Sequence, residues 1–323
     1  LSPSDSAAAA YAAAGTGAAS GNTNVHGNGG HSIAKPMPDL FPALKKRGRV
    51  SRLFSRHASV AIGGGILLLL ILMAICAPLL FTVDPTALTI SQRLRAPSAL
   101  HWFGTDMQGR DLYSRVIYGA RISLIVGFSV ALLASAIGLL IGMAAGFIRM
   151  IDGVIMRAMD SIMSIPSVLL AIALMAMTRG SVINVIIAIT VAEIPRVARL
   201  VRSVVLSLRE QPYVDGAVAS GSGTLKIIFR HIMPNTFAPL IVQATYICAS
   251  AMITESILSF IGAGTPPIIP SWGNIMADGR VLWQAKFYII AFPAAFLSLT
   301  VLAVNLLGDG LRDALDPRLN KGK

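Results

Sequence analysis

Three acidic residues, Asp160, Glu193 and Glu255, lie within or against the most apolar stretches of this chain. A carboxylate in such surroundings is costly, so it marks a path for ions or substrate, a proton relay, or a buried bond to another side chain. Arg196 follows Glu193 by three residues, within reach on one helix face, so a structural ion pair stands ahead of a functional role for that acid. Glu255 has no such neighbour, so a translocation path or a subunit seam stays open for it beside a structural bond. Other chemistries are poorly supplied. The five histidines, His26, His31, His57, His101 and His231, fall outside or at the margins of the apolar stretches, which leaves an intramembrane serine hydrolase without a base. No HExxH occurs, and Cys76 and Cys248 are far apart, so neither a zinc site nor a disulfide framework is indicated. GTDMQGRD, Gly104 to Asp111, has the glycine spacing of a phosphate loop, but Arg110 and Asp111 stand where Lys and Ser or Thr are required. GSGTLK, Gly221 to Lys226, lacks the length. The chain alone is expected to bind no nucleotide, metal or other cofactor. A passive channel would want a ring of like charges, whereas the three acids belong to three different segments.

The elements that carry these residues read as membrane helices. Of 323 residues, 54% are hydrophobic and 13% charged, which points to an all-α polytopic membrane protein. A net charge of +12 is not taken as a nucleic-acid footprint, because the cations crowd beside apolar spans without aromatic interleaving. Six spans are predicted, at about Ser59–Phe81, Ile122–Ile148, Val154–Met177, Val182–Leu200, Thr236–Phe260 and Phe287–Leu307. The third and fourth form a hairpin through Thr178–Ser181. An even count puts both termini on one side, and the run Lys45, Lys46, Arg47, Arg49, Arg52, Arg56 makes that side cytoplasmic. Arg199, Arg202, Arg209, Lys226, Arg230 and the terminal Arg312, Arg318, Lys321 and Lys323 agree. Arg93, Arg95, Arg110, Arg115 and Arg121 fall on the outer side against that rule, partly offset by Asp84, Asp106 and Asp111. The organisation expected is a disordered low-complexity tail at 1–40, a basic segment with the first span and an outer loop at 41–120, the core at 121–308, and a cytoplasmic tail at 309–323. Residues 1–36 are a dispensable tail or precede a start at Met37, and carry no assigned function. The small residues of Gly63–Gly65 and Gly142–Gly146 suit close helix packing, within one subunit or between two.

One polar segment interrupts the second half. YVDGAVASGSGTLKIIFRHIMPN, Tyr213 to Asn235, has Pro212 suited to open a short helix and Gly221 to close it. Asp215 then meets the positive end of that helix dipole. Ser222 or Thr224 is expected to cap a second helix with Leu225, Ile228, Phe229 and Ile232 as its apolar stripe, limited by Pro234. The product is a docking tip or an interfacial connector. Farther on, Pro266, Pro267 and Pro270 place Gly262–Ala285 in an outer loop, or in a re-entrant segment enclosed by protein. Trp272 and Trp283 there are possible interfacial anchors.

The segment 211–234 resembles the cytoplasmic loop of permease subunits of bacterial ATP-binding-cassette importers, with Asp215, Gly216, Ala217, Gly221, His231, Met233 and Pro234 at the motif's places. Asp215 is one methylene shorter than the family's glutamate, and Gly216 replaces an alanine at a cost of roughly 1 kcal/mol. HWFGTDMQGRDLYSRVIYGARISL (His101–Leu124), ESILSFIGAGTPPIIPSWGNIMADGR (Glu255–Arg280) and NLLGDGLRDALDPRLN (Asn305–Asn320) are similar to the second permease subunit of dipeptide and oligopeptide importers. The resemblance covers nearly everything from Arg52 to Arg318. It implies a type I ABC importer permease fold of six transmembrane helices with a cytoplasmic coupling loop, in the bacterial inner membrane. It also implies a homologous permease partner, two ATPase subunits or domains holding ATP and magnesium, and an extracytoplasmic substrate-binding protein. Tyr213, Val214, Asp215, Gly216, Ala217, Gly221 and Pro234 then form the ATPase-coupling loop. Pro266, Pro267 and Trp272 become possible contacts for the binding protein, or part of a structural cap. The implied cargo is dipeptides or oligopeptides, with nickel complexes, glutathione or opines as alternatives.

Overall fold

The computed structural model describes residues 58–178 and 180–315, and every described element is helical apart from a lone bridge between Thr105 and Asp111. The expected tail, the basic run 45–56, Arg179 and the terminal Arg318, Lys321 and Lys323 lie outside the described residues. The helices are α1 (Ala58–Ile75), α2 (Leu112–Phe147), α3 (Arg149–Met163), α4 (Ser167–Ala176), α5 (Val182–Arg209) and α6 (Pro212–Ala219). They continue as α7 (Thr224–Ile227), α8 (Met233–Ile261), α9 (Trp272–Gly279) and α10 (Tyr288–Leu315). A π-turn, Ile228–Ile232, joins α7 to α8 as one 38-residue rod from Thr224 to Ile261.

By length and composition, α1, α2, the α7–α8 rod and α10 can cross a membrane, and α3 with α4 makes a fifth crossing if that bent pair is one span. The predicted straight span Val154–Met177 is therefore corrected: it is broken, with an 85° bend between α3 and α4. Pro166 gives the reason, since it disfavours helical backbone at Ile165 and lacks the amide that would continue the ladder. The predicted fourth span is a helix, but only its first half is apolar. Glu193, Arg196, Arg199 and Arg202 occupy the rest of α5. α2 starts ten residues ahead of its predicted span because Asp111 caps it, its carboxylate accepting from the Ser114 amide at 2.9 Å.

Glycines set the closest helix contacts. A Cβ at Gly138, Gly142 or Gly146 of α2 would lie 2.5–2.8 Å from Val197, the Ala198 carbonyl, or Val205 of α5. The small-residue pattern at Gly142–Gly146 thus packs within the subunit, with Val197, Val201 and Val205 as the opposing ridge. Gly63 does the same for α1 against Ala303 and Leu307 of α10, while nothing lies near Gly65. Gly310 touches Val60, so the end of α10 and the start of α1 share one end of the bundle. The Arg209 guanidinium donates to the Gly146 carbonyl at 2.8 Å, which brings the ends of α2 and α5 to that same end, beside α6. At the opposite end Arg121 of α2 donates to the last carbonyls of α1, Ala74 at 2.6 Å and Ile75 at 3.1 Å, a favourable place for a cation.

Candidate functional site

The segment after α5 forms a projecting tip. Pro212 opens α6, where its missing amide costs nothing, and Asp215 sits in the first turn. Gly221, at φ +74°, closes it. The Ser222 amide reaches back to Ala217 at 3.0 Å and the Gly221 amide to Val218 at 2.9 Å, the paired bonds of a Schellman ending. Tyr213, Asp215, Gly216 and Val218 are exposed and Ala217 is half-buried. Val214 is buried, so its expected place among the partner contacts is corrected: it anchors the tip to the bundle. No side chain caps α7; Gly223 occupies the position for which Ser222 or Thr224 was expected.

Pro234 does not end the second helix either. It lies near the start of α8, and the π-turn just before it supplies the slack that its ring and absent amide require. The extra residue in that turn also rotates the register. Ile227 and Ile232, five apart, are buried, whereas Leu225 and Phe229 of the predicted stripe are 70% and 60% exposed. The tip accordingly presents Tyr213, Val218, Leu225 and Phe229 outward, an apolar surface with Asp215, Lys226 and Arg230 around it.

Of the acids, Glu193 is 2% exposed and accepts from Arg196 at 3.0 Å, the ion pair predicted from their spacing. Ser250 of α8 adds a longer contact at 3.4 Å. Asp160 of α3 pairs with Arg199 at 2.5 Å, and Asp152 holds Arg202 through both carboxylate oxygens at 2.5 and 2.6 Å. Glu255 is fully buried within this subunit. Ser259 donates to it at 2.8 Å, and Ser259, Thr265 and Ser271 continue as a chain of hydroxyls 3.2–3.4 Å apart. That chain ties the start of α9 to α8.

At the far end, the proline segment folds back into the bundle. Ser271 caps α9, and Trp272 is completely buried, its indole nitrogen donating to the Val116 carbonyl of α2 at 3.0 Å. Its expected roles as a partner contact or interfacial anchor are corrected on that ground. Pro267 is exposed, Pro266 half-buried, and Trp283 is 57% exposed. The spacing of GTDMQGRD serves a turn wrapped around Asp106, which accepts the Gln108 and Arg110 amides at 2.8 and 2.9 Å. Asp106 also takes Arg110 and Arg115 at 2.6 Å each, and both arginines meet Asp278 of α9 at 2.7 Å. Sequence reasoning counted these arginines as an anomaly of charge sidedness. They are a neutralised cluster linking the loop before α2 to α9, and the signal available was Asp106 within nine residues of both.

Residues 112–321 match the family of binding-protein-dependent transport system inner membrane components, and residues 48–97 match the N-terminal TM domain of oligopeptide transport permease C. A probable peptide ABC transporter permease of Sinorhizobium fredii is 54% identical over 83% of this chain and 92% of its own length. The dipeptide transport permease of Alkalihalophilus pseudofirmus is 41% identical over 88% of this chain and 94% of its own. The oligopeptide transport permease of Bacillus subtilis is 38% identical over 83% and 88% respectively. Among solved structures, an inward-facing form of the MetNI methionine ABC transporter matches with a TM-score of 0.51, covering 62% of this chain and 96% of that chain. At 18% identity that likeness concerns the fold.

Proposed function

Because the chain belongs to the binding-protein-dependent transport inner-membrane-component family, and is a multi-pass permease of a peptide ABC import system, we propose that α6 is the point where ATPase subunits drive it. It is a transport component and not an enzyme, so hydrolysis of ATP belongs to partner ATPases. The observation that carries the proposal is the tip itself: a short helix, closed at both ends, held by one buried side chain and exposing Tyr213, Asp215 and Val218. A surface so built transmits force without deforming.

In this reading α5 provides a sixth crossing, α6 faces the cytoplasm, and both termini lie on that side. The homologous permease supplies the other half of the path. Two ATPases carry ATP and magnesium beneath the pair, and the substrate-binding protein meets the end that bears Pro266 and Pro267. Dipeptides or oligopeptides are the cargo, as the names of the relatives suggest. Closure of the ATPases shifts the helix bundle between inward-open and outward-open arrangements, by as much as their differential affinity for the two allows.

The test places a photo-cross-linking side chain at Val218, which is 59% exposed, in the assembled importer. Adducts with an ATPase subunit are expected. Labelling of Val218→Cys from the outer medium of intact cells would overturn the orientation, and adducts confined to lipid would overturn the coupling role.

A further inference from the structure

Arg196 lies fourteen residues from Val182 and thirteen from Arg209, the two ends of α5. At about 1.5 Å per residue that is roughly 20 Å from either end, the middle of the helix. Its side chain is nonetheless 51% exposed. Glu193 uses one nitrogen of the guanidinium, and no other partner occurs among the described residues. In the sixth crossing proposed for α5, an arginine midway along the helix faces protein or a water-filled cavity, not lipid.

Two further observations concern the same face. Arg196, Arg199, Ser203 and Ser207 are all exposed at helical spacing, forming a polar stripe from the middle of α5 toward the α6 end. In the outer half the exposed positions are Ile183 and Ile187. The polar surface therefore begins at Arg196 and continues in one direction. Beside it, Ser164, Ile165 and Pro166 form the exposed break between α3 and α4, one turn beyond Asp160, which pairs with Arg199. Non-helical backbone at such a depth is tolerated where it lines a cavity or is covered by protein, and broken helices mark substrate sites in many transporters.

We propose that Arg196 is a subsite for the C-terminal carboxylate of the transported peptide, at the inner end of a wet vestibule open toward α6. This rests on the peptide-permease reading above. The guanidinium has donors to spare for a carboxylate fork. Glu193, held behind it by Arg196 and Ser250, keeps the net charge of the pair at zero, so the substrate is attracted through hydrogen bonds and released again as the bundle changes state.

The experiment uses the whole importer in proteoliposomes, with ATPases, partner permease and receptor, and two probes: trialanine and its C-terminal carboxamide. The quantity read is the ratio of free-acid to amide transport, which cancels receptor effects between variants. Arg196→Gln is expected to lower that ratio about tenfold, in line with loss of one charge-assisted contact, and Arg196→Lys to restore much of it. The double variant Glu193→Gln/Arg196→Gln leaves no buried acid unpaired and should show the same lowered ratio if the single variant does not insert. A ratio unchanged in the double variant overturns the subsite. Absence of ATP-driven import of trialanine by the wild-type importer would instead overturn the peptide-permease reading.

Discussion

Asp106→Asn tests how the loop between α1 and α2 is held. Asp106 is fully buried and accepts four hydrogen bonds, from the Arg110 and Arg115 guanidinia and from the Gln108 and Arg110 amides. An asparagine keeps one acceptor and turns an NH2 toward two cations. Asp278, 27% exposed, would then be the sole acid facing both arginines. Arg115 is 1% exposed and its Nε and remaining Nη already lack partners, so it has no alternative bonds to fall back on. Breaking a buried pair from one side costs about 3–5 kcal/mol. At the roughly 2 °C per kcal/mol seen for larger chains, the melting temperature should fall by roughly 6–10 °C. The assay is thermal unfolding of the detergent-solubilised permease, with limited proteolysis of residues 82–111 as a local readout. Asp278→Asn, at the half-open side of the cluster, should lose less, about 1–2 kcal/mol. Equal melting of Asp106→Asn and wild type, with the loop equally resistant to protease, would refute the claim that this cluster fastens the loop to α9.

The two tip glycines should respond with opposite signs. Gly221→Ala places a side chain at φ +74° and should destabilise α6 by about 1 kcal/mol, whereas Gly216→Ala enters open space within a helix and should stabilise it by about 0.5–1 kcal/mol. Hydrogen exchange of the α6 amides reads both, faster in the first variant and slower in the second. A single-tryptophan protein with Trp102→Phe and Trp283→Phe should resist acrylamide quenching, because Trp272 is fully buried while the other two are 53% and 57% exposed. Quenching as strong as that of the Trp102 or Trp283 single-tryptophan proteins would contradict its burial against α2.

Much of this fold is written in local sequence. Runs of apolar residues long enough to span hydrocarbon mark α1, α2, α8 and α10, and Pro212 with Gly221 mark α6 nearly to the residue. Legibility fails where position depends on a second element. Hydropathy gave no warning that Val154–Met177 is bent, since window averages ignore the geometry that Pro166 imposes. The stripe through Leu225 and Phe229 follows an ideal period of 3.6, and the π-turn demanded by Pro234 moves the buried positions to Ile227 and Ile232. Trp272 looked like an outer anchor because amphipathic rings favour interfaces, but α2 offers it both an apolar slot and the Val116 carbonyl. Glu255 shows the same dependence on other elements: Ser259 on its own helix donates to it, and the hydroxyls that extend this contact, Thr265 and Ser271, lie beyond the end of α8.

α5 connects the Glu193–Arg196 pair to α6. It carries the pair at its centre and leads through Glu210 and Gln211 directly into α6. Between those points its ridge of Val197, Val201 and Val205 is seated on the glycines of α2, and Arg209 is bonded to Gly146 and Phe147, its guanidinium 5.0 Å from the Phe147 ring. Arg202 and Arg199 hold α3 through Asp152 and Asp160. The lower half of α5, the end of α2 and α3 are thus cross-braced, and they should displace as a unit when α6 is pushed. Above them stands Pro195, where the helix lacks one ladder bond and bends most easily. Under the coupling proposed for α6, a push at the tip would reach the residues adjoining Arg196, and a change of angle there would alter how the guanidinium meets the carboxylate proposed for it.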